Sequence, residues 1–153
     1  MKILEKFPIS DSEKIIDCLK SFADSTFRII EYPLSRSEFH LYLKKATYPE
    51  TYRKGFGRFF HEKALEHFVS LKVLTLDKQA VVMDVASSAS PFPDIVRDFY
   101  GCVCYRQDLI YPKGVHQYQV GGDACALPFP NNSFTHFTSA PSWLQYQLQE
   151  FHR

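Results

Sequence analysis

Several features that would assign this chain to a common class are missing from it. No run of about 18 apolar residues occurs, so the sequence predicts no membrane-spanning helix. The 18 Lys and Arg against 17 Asp and Glu leave a formal net charge of +1, which gives no positive field to hold a nucleic acid or an anionic membrane. The start, MKILEKFPIS, lacks the apolar stretch of a signal peptide. We therefore expect a cytoplasmic protein with neither nucleic acid nor membrane as its partner.

Cysteine is scarce and shows no ligand pattern. The four cysteines include no C-x-x-C and have no His at ligand spacing, so neither a disulfide framework nor a zinc site is indicated. We interpret them as small buried hydrophobic residues, namely Cys18, Cys102, Cys104 and Cys125.

The period of the apolar residues changes along the chain. A hydrophobic share of 45% and an aromatic share of 16% are enough for one folded core and exclude a wholly disordered chain. The early spacing predicts helices over 10–23, 37–46 and 58–73, with a loop at 54–57. The later spacing predicts strands over 80–85 and 102–105, a helix that carries Phe92, Ile95, Val96 and Phe99 and that Gly101 ends, and weaker strands near 118–120 and 134–139. The strand–helix–strand order predicts a parallel crossover and hence an α/β sheet. We expect an N-terminal helical extension, 1–57, and an α/β domain, 58–153.

Acidic residues stand at or after the ends of three predicted strands, where open parallel sheets bind their ligands. Asp84 precedes a run of small residues, with Ser90 and Pro91 as the expected N-cap and first helical residue. Asp108 has the position of a carboxylate that accepts both hydroxyls of a ribose. Asp123 precedes an apolar stretch, which suits a flat heterocycle. Each residue alone is equally consistent with a tight turn or a solvated loop carboxylate; together they predict a nucleoside-shaped crevice.

These residues resemble the motifs of class I S-adenosylmethionine-dependent methyltransferases. Residues 84–90 follow the register acid-x-G-x-G-x-G, with Ala86, Ser88 and Ser90 where glycines are usual. Asp108 with Leu109 resembles the acid–hydrophobe pair after the second strand. The segment GDACALPFPNNSF, residues 122–134, is similar to the family segment "GDA, two residues, LPFPDNSFD". The resemblance covers about residues 58–139.

The resemblance implies a Rossmann-like class I methyltransferase fold that binds S-adenosylmethionine as its small-molecule cofactor. It implies that the turn after the first strand contacts the methionine part, that Asp108 binds the ribose, and that Asp123 and Ala124 border the adenine. It implies no metal, and it assigns neither a methyl acceptor nor a catalytic residue. The implied cofactor-binding residues are Asp84, Ala86, Ser87, Ser88, Ser90, Asp108, Leu109, Asp123, Ala124 and Ser139.

The family's sheet has seven strands, whereas this chain ends after the fourth expected strand. We therefore expect an incomplete parallel sheet, in a truncated domain that binds cofactor with or without turnover. Residues 140–153 would begin the next helix and strand. An open sheet edge could join two copies of the chain, because unpaired backbone groups there are available to a second strand.

Two other functions fit part of the pattern. One is a catalytically silent interaction module that completes its sheet with a partner chain. The other is a nicotinamide-dinucleotide oxidoreductase, which ranks last because Pro91 stands near the place of the third glycine that such a site needs. We interpret the lone histidines as structural or exposed, namely His61, His67, His116 and His136.

Overall fold

The computed structural model describes residues 33–139, and those from Ser35 onward belong to one compact unit. Along the chain lie α1 (Arg36–Lys45), α2 (Glu50–Phe56), α3 (Phe60–Leu74), β1 (Val81–Val85), α4 (Phe92–Tyr100), β2 (Val103–His116), β3 (Gln119–Gly121) and β4 (His136–Thr138). Within these residues no helix has the length and apolar character to cross a membrane. The predicted helix over 10–23 and the predicted elements over 140–153 lie outside the described residues.

The loop predicted at 54–57 is wrong, because the chain is helical as far as Phe56 and continues as a 3-10 turn over Gly57–Phe59. A glycine inside a helix costs about 1 kcal/mol of helix propensity. Packing outweighs that cost: Phe56 is buried, and its ring lies 4.7 Å from that of Tyr52. The predicted helices over 37–46 and 58–73 are confirmed as α1 and α3, with ends shifted by one or two residues.

The four strands form one sheet in the order β3-β2-β1-β4. β1 lies parallel to β2 on one side and to β4 on the other, with Met83 opposite both Tyr105 and Phe137. α4 connects β1 to β2, which confirms the predicted parallel crossover. Gly101 ends α4 with φ 65°, and its N–H donates to the Arg97 carbonyl oxygen at 2.8 Å. The protein is therefore an α/β protein with a parallel sheet, and this strand order is compatible with a Rossmann-like fold.

β2 extends to His116 rather than ending near Tyr105 as predicted. Its residues 106–108 pair in parallel with 119–121, and its residues 113–116 pair with the same three residues in the reverse order, with register shifts between them. A tight turn with Gln117 at φ 54° leads from β2 into β3. Consequently no helix lies between these two strands, although parallel neighbours usually need a longer crossover.

The core lies between the helices and the face of the sheet that carries Val82 and Cys104. Both residues are fully buried, as are Phe92, Ile95 and Val96 of α4. The helices on both sides of residue 57 contribute to this one core, and the domain boundary there stays a prediction.

The predicted burial of cysteine is confirmed for Cys102 and Cys104. It is wrong for Cys125, which is exposed because it lies in a surface 3-10 turn, Ala124–Ala126. Cys18 lies outside the described residues.

The opposite face of the sheet carries an aromatic cluster. Met83 and Tyr105 point to this face, since side chains alternate along a strand and Val82 and Cys104 belong to the helical core. The ring of Phe134 lies 6.0 Å from Tyr105 and 5.4 Å from Phe137. Phe137 is 59% exposed, so this face is covered less completely than the helical one.

Candidate functional site

Three carboxylates lie where the parallel pairing of neighbouring strands ends. Asp84 lies near the end of β1, Asp108 lies within β2 at the last parallel pair with β3, and Asp123 follows β3 by two residues. Because β1 pairs with β2 and β2 with β3, these three positions belong to the same edge of the parallel sheet. We call Asp84, the turn 86–90, Asp108 and Asp123 the carboxyl rim.

Asp84 is buried, with 1% of its surface exposed, and it connects two strands. Its Oδ1 accepts a hydrogen bond from Thr138 Oγ1 at 2.7 Å. β1 and β4 meet where the strand order reverses in this topology, which is the usual ligand crevice of open α/β sheets. Thr138 was missed by the sequence reasoning, which named its exposed neighbour Ser139.

At two positions of the turn after β1 the backbone has a conformation that favours glycine, although neither residue is a glycine. Ala86 has φ 55° and Ser88 has φ 45°. The left-handed region costs a residue with a Cβ roughly 1–2 kcal/mol, so the surrounding structure must enforce it. Two hydrogen bonds hold the turn: Ser87 N–H donates to the Gln107 carbonyl oxygen at 2.9 Å, and Ser90 N–H to the Ser87 carbonyl oxygen at 2.8 Å.

The turn leads into α4 one residue later than predicted. The helix begins at Phe92, with Pro91 in the cap position, and Ser90 Oγ accepts from the Phe92 N–H at 3.2 Å. The Tyr52 side chain of α2 lies close to the side chain of Ser90. Burial raises the pKa of Tyr52, and the charge of Asp84 adds to the rise. Tyr52 of α2 therefore lies against the rim.

Asp108 is 7% exposed and accepts hydrogen bonds from the chain itself. Its Oδ2 accepts from the Ser88 N–H at 2.9 Å, and its Oδ1 from the Ile110 N–H at 3.2 Å. Each carboxylate oxygen has two lone pairs, so the group keeps acceptor capacity. The carboxylate thus ties the middle of β2 to the turn after β1.

Two residues of β2 to which the sequence reasoning gave no binding role complete this part of the rim. Gln107 is buried; its Oε1 accepts from the Ala86 N–H at 3.3 Å, and its Nε2 donates to the Gly122 carbonyl oxygen at 2.5 Å. The Tyr111 hydroxyl donates to the Ser88 carbonyl oxygen, and burial raises the pKa of Tyr111. No sequence signal indicated Tyr111, because the strand was expected to end near Tyr105.

The outer part of the rim is exposed. Asp123 Oδ1 accepts from the Cys125 N–H at 2.8 Å and so caps the short 3-10 turn. Ala124 is also exposed. Leu109 and Ile110 follow Asp108 and are 74% and 68% exposed. An exposed apolar side chain beside a carboxylate, here Leu109 beside Asp108, can take up a flat ring with a polar edge.

One buried polar atom of the turn makes no hydrogen bond within the described part of the chain. Ser87 is 2% exposed, and its Oγ has no hydrogen-bond partner among the described residues. A buried hydroxyl without a partner costs about 1–3 kcal/mol, so a ligand or a water that reaches this atom would be stabilised.

No histidine belongs to the carboxyl rim. His61 and His116 are exposed, while His67 is buried in the helical core. Within residues 33–139 no three His, Cys, Asp or Glu side chains form a group that could hold a metal ion.

Comparisons with models of protein families, with curated proteins and with solved structures each found no match.

Proposed function

We propose that the carboxyl rim binds S-adenosylmethionine and that the protein transfers its methyl group to an acceptor not yet identified. The proposal rests chiefly on one observation: the backbone at Ala86 and Ser88 has the left-handed conformation for which glycine is the usual residue. These are two of the positions where the resembling motif carries glycine.

The rim residues fit the cofactor in chemical type. Ser87 Oγ offers a buried group without a partner among the described residues, and Asp108 has lone pairs to accept from ribose hydroxyls. Leu109 offers exposed apolar surface beside Asp108 for the adenine ring. Asp123 uses Oδ1 as a cap and would accept from the exocyclic amine through its other oxygen.

The bound cofactor would supply a methyl group on a sulfonium, ready for in-line displacement. The contribution of this chain would be to orient that group, since positioning alone supplies a large part of such rate enhancements. The Ser88 N–H and Tyr111 hydroxyl already make internal hydrogen bonds. Binding would exchange some of these contacts, so we expect modest affinity.

The test is a calorimetric titration of the protein with S-adenosylhomocysteine and, separately, with NAD. We expect saturable binding of the first and none of the second. Leu109→Ala should weaken binding of S-adenosylhomocysteine about five- to tenfold, the equivalent of roughly 1–1.5 kcal/mol of apolar contact. Because Leu109 is 74% exposed, the substitution should leave folding intact.

Leu41→Ala is the matched control, since Leu41 is 65% exposed and lies in α1. Equal affinities of the two variants, or tighter binding of NAD, would overturn the proposal.

A second candidate function is a binding module for another protein chain. The exposed apolar side chains of Leu109, Ile110 and Phe137 favour it, because apolar surface left open to water is often covered by another protein. Sedimentation of the same samples separates the two candidates: a dimer or larger assembly that binds neither ligand supports the module, and a monomer that binds S-adenosylhomocysteine excludes it.

A further inference from the structure

A polar pocket of about 620 Å³ lies between α4 and the turn from β2 to β3. Asp94 and Arg97 of α4 line one side, and Arg106 of β2 lies with them. His116, Gln117 and Gln119 line the side of the turn. No residue of the carboxyl rim lines this pocket.

The charges in the pocket are unbalanced. Arg97 and Arg106 both pair with the single carboxylate of Asp94. The side chains of the two arginines are only 22% and 16% exposed, so two guanidinium groups largely removed from water share one negative charge. Removing a cation from water is costly unless an anion compensates it, and a second anion would therefore be stabilised here.

Arg97 is held in position before any ligand arrives. Its Nη1 donates to the Cys104 carbonyl oxygen at 2.6 Å, and its Cζ lies 4.5 Å from the centroid of the Tyr118 ring. A guanidinium has five N–H donors in a planar fork, and these contacts together with Asp94 use only some of them. Less conformational entropy is lost when a ligand binds a side chain that is already ordered.

The pocket exists because β2 turns directly into β3. A crossover helix would usually cover the sheet beside α4. The turn leaves this space open, and it also brings the amides of Gln117 and Gln119 beside the arginines. These side chains add neutral hydrogen-bond donors around a positive centre.

We propose that this arginine pocket binds the oxyanion of a small phosphorylated or carboxylated molecule. Guanidinium forks match the geometry of phosphate and carboxylate oxygens, and such charge-assisted pairs are among the stronger hydrogen bonds. The volume exceeds that of the anion alone, so the rest of a small molecule has room beside the glutamines.

The experiment titrates the protein with inorganic phosphate and, in parallel, with acetate, against chloride at constant ionic strength. The readouts are calorimetry and the thermal midpoint. We expect saturable binding of at least one of the two anions and a rise in the midpoint, since a ligand that binds only the folded state stabilises it. Stronger binding of phosphate identifies a phosphorylated ligand, and stronger binding of acetate a carboxylated one.

Gln117→Glu tests the site without disturbing the core, because Gln117 is an exposed turn residue. The added negative charge should weaken anion binding about tenfold or more, the effect of roughly 1.4 kcal/mol. Gln79→Glu is the matched control: it adds the same charge at another exposed turn, and Gln79 does not line the pocket. Arg106→Lys keeps the charge and removes the fork, so it should also weaken binding.

Absence of saturable binding by either anion, or equal affinities of the Gln117→Glu and Gln79→Glu proteins, would overturn the arginine pocket. Binding of S-adenosylhomocysteine should not change in Gln117→Glu, so the failure of this proposal is distinguishable from that of the carboxyl rim.

Discussion

His67 lies inside the helical core with 1% of its surface exposed. A hydrogen bond of 3.0 Å joins its Nδ1 to the Tyr48 hydroxyl, and one of 2.5 Å joins that hydroxyl to Tyr42. Burial, with a smaller contribution from the charge of Lys63, lowers the pKa of His67 to about 3. The folded protein therefore keeps this imidazole neutral at any pH above that value.

This shift makes stability depend on pH. In the unfolded chain His67 gains a proton below its ordinary pKa of about 6.5, while the folded chain does not, so the free energy of unfolding falls as the pH falls. We expect a loss of about 1.4 kcal/mol per pH unit from roughly pH 6 toward pH 3, and no loss from this residue above pH 6.5. Urea denaturation at several pH values measures it.

His67→Gln removes the titrating group and keeps hydrogen-bonding atoms near Tyr48, so its stability should fall less steeply over this range. His61→Gln is the control, since His61 is exposed. Parallel pH profiles for wild type and His67→Gln would contradict the assignment. The sequence predicted a structural or exposed histidine here, but its partner Tyr48 is 19 residues away, and only packing brings the two together.

Gly55 and Gly121 differ in the space that surrounding atoms leave for a side chain. Gly55 lies inside α2, and a Cβ there would meet nothing within 4 Å. A Cβ at Gly121 of β3 would overlap the carbonyl oxygens of Tyr111 and Pro112. This close approach results from the way β2 folds back along β3.

We expect Gly55→Ala to stabilise the protein by about 0.5–1 kcal/mol, because alanine is the better helix former and loses less backbone entropy. Gly121→Ala should destabilise it by about 1–3 kcal/mol, the usual range for overpacking. Thermal and urea denaturation of the two variants gives both values. A neutral Gly121→Ala would mean that the backbone of β2 does not pass this close to β3.

Element boundaries were predictable where one local signal dominated. Gly101 ended α4 as expected, since a left-handed residue after a helix favours glycine. The prediction of a loop at 54–57 was wrong because Phe56 and Tyr52 pack against the core. This packing outweighs the low helix propensity of Gly55. The predicted end of β2 near Tyr105 was wrong because the second half of the strand is stabilised by pairing with residues 119–121. No local sequence pattern encodes that pairing.

The helices and the helical face of the sheet share one core across the described part of the molecule. Phe92 lies at its centre: it is fully buried, its ring is 5.0 Å from His67, and it belongs to the same cluster as Val82 of β1. We therefore expect the helices and the sheet to unfold together.

Phe92→Ala should lower the free energy of unfolding by about 3–5 kcal/mol, the usual cost of removing a buried phenyl ring. This is a large fraction of the roughly 5–15 kcal/mol of an ordinary domain. Far-ultraviolet circular dichroism, which reports chiefly on the helices, and hydrogen exchange of the β1 and β2 amides should give the same transition in denaturant. Phe137→Ala, at a 59% exposed position, should cost much less. Helical signal that survives after the strand amides have lost their protection would contradict a shared core.

The sequence by itself determined the helices α1, α3 and α4, the positions of β1 and the start of β2, and that β1 and β2 run parallel, because those features follow from the periodicity of apolar residues and from connection length. It also indicated the three acidic residues of the carboxyl rim. Only the tertiary structure decided that Thr138 binds Asp84, that Gln107 and Tyr111 hold the turn, and that Arg97 and Arg106 share Asp94. Apart from the Arg97–Asp94 pair within α4, these contacts join residues distant along the chain and on different elements, and such hydrogen bonds and charge pairs become stronger once packing has removed their atoms from water.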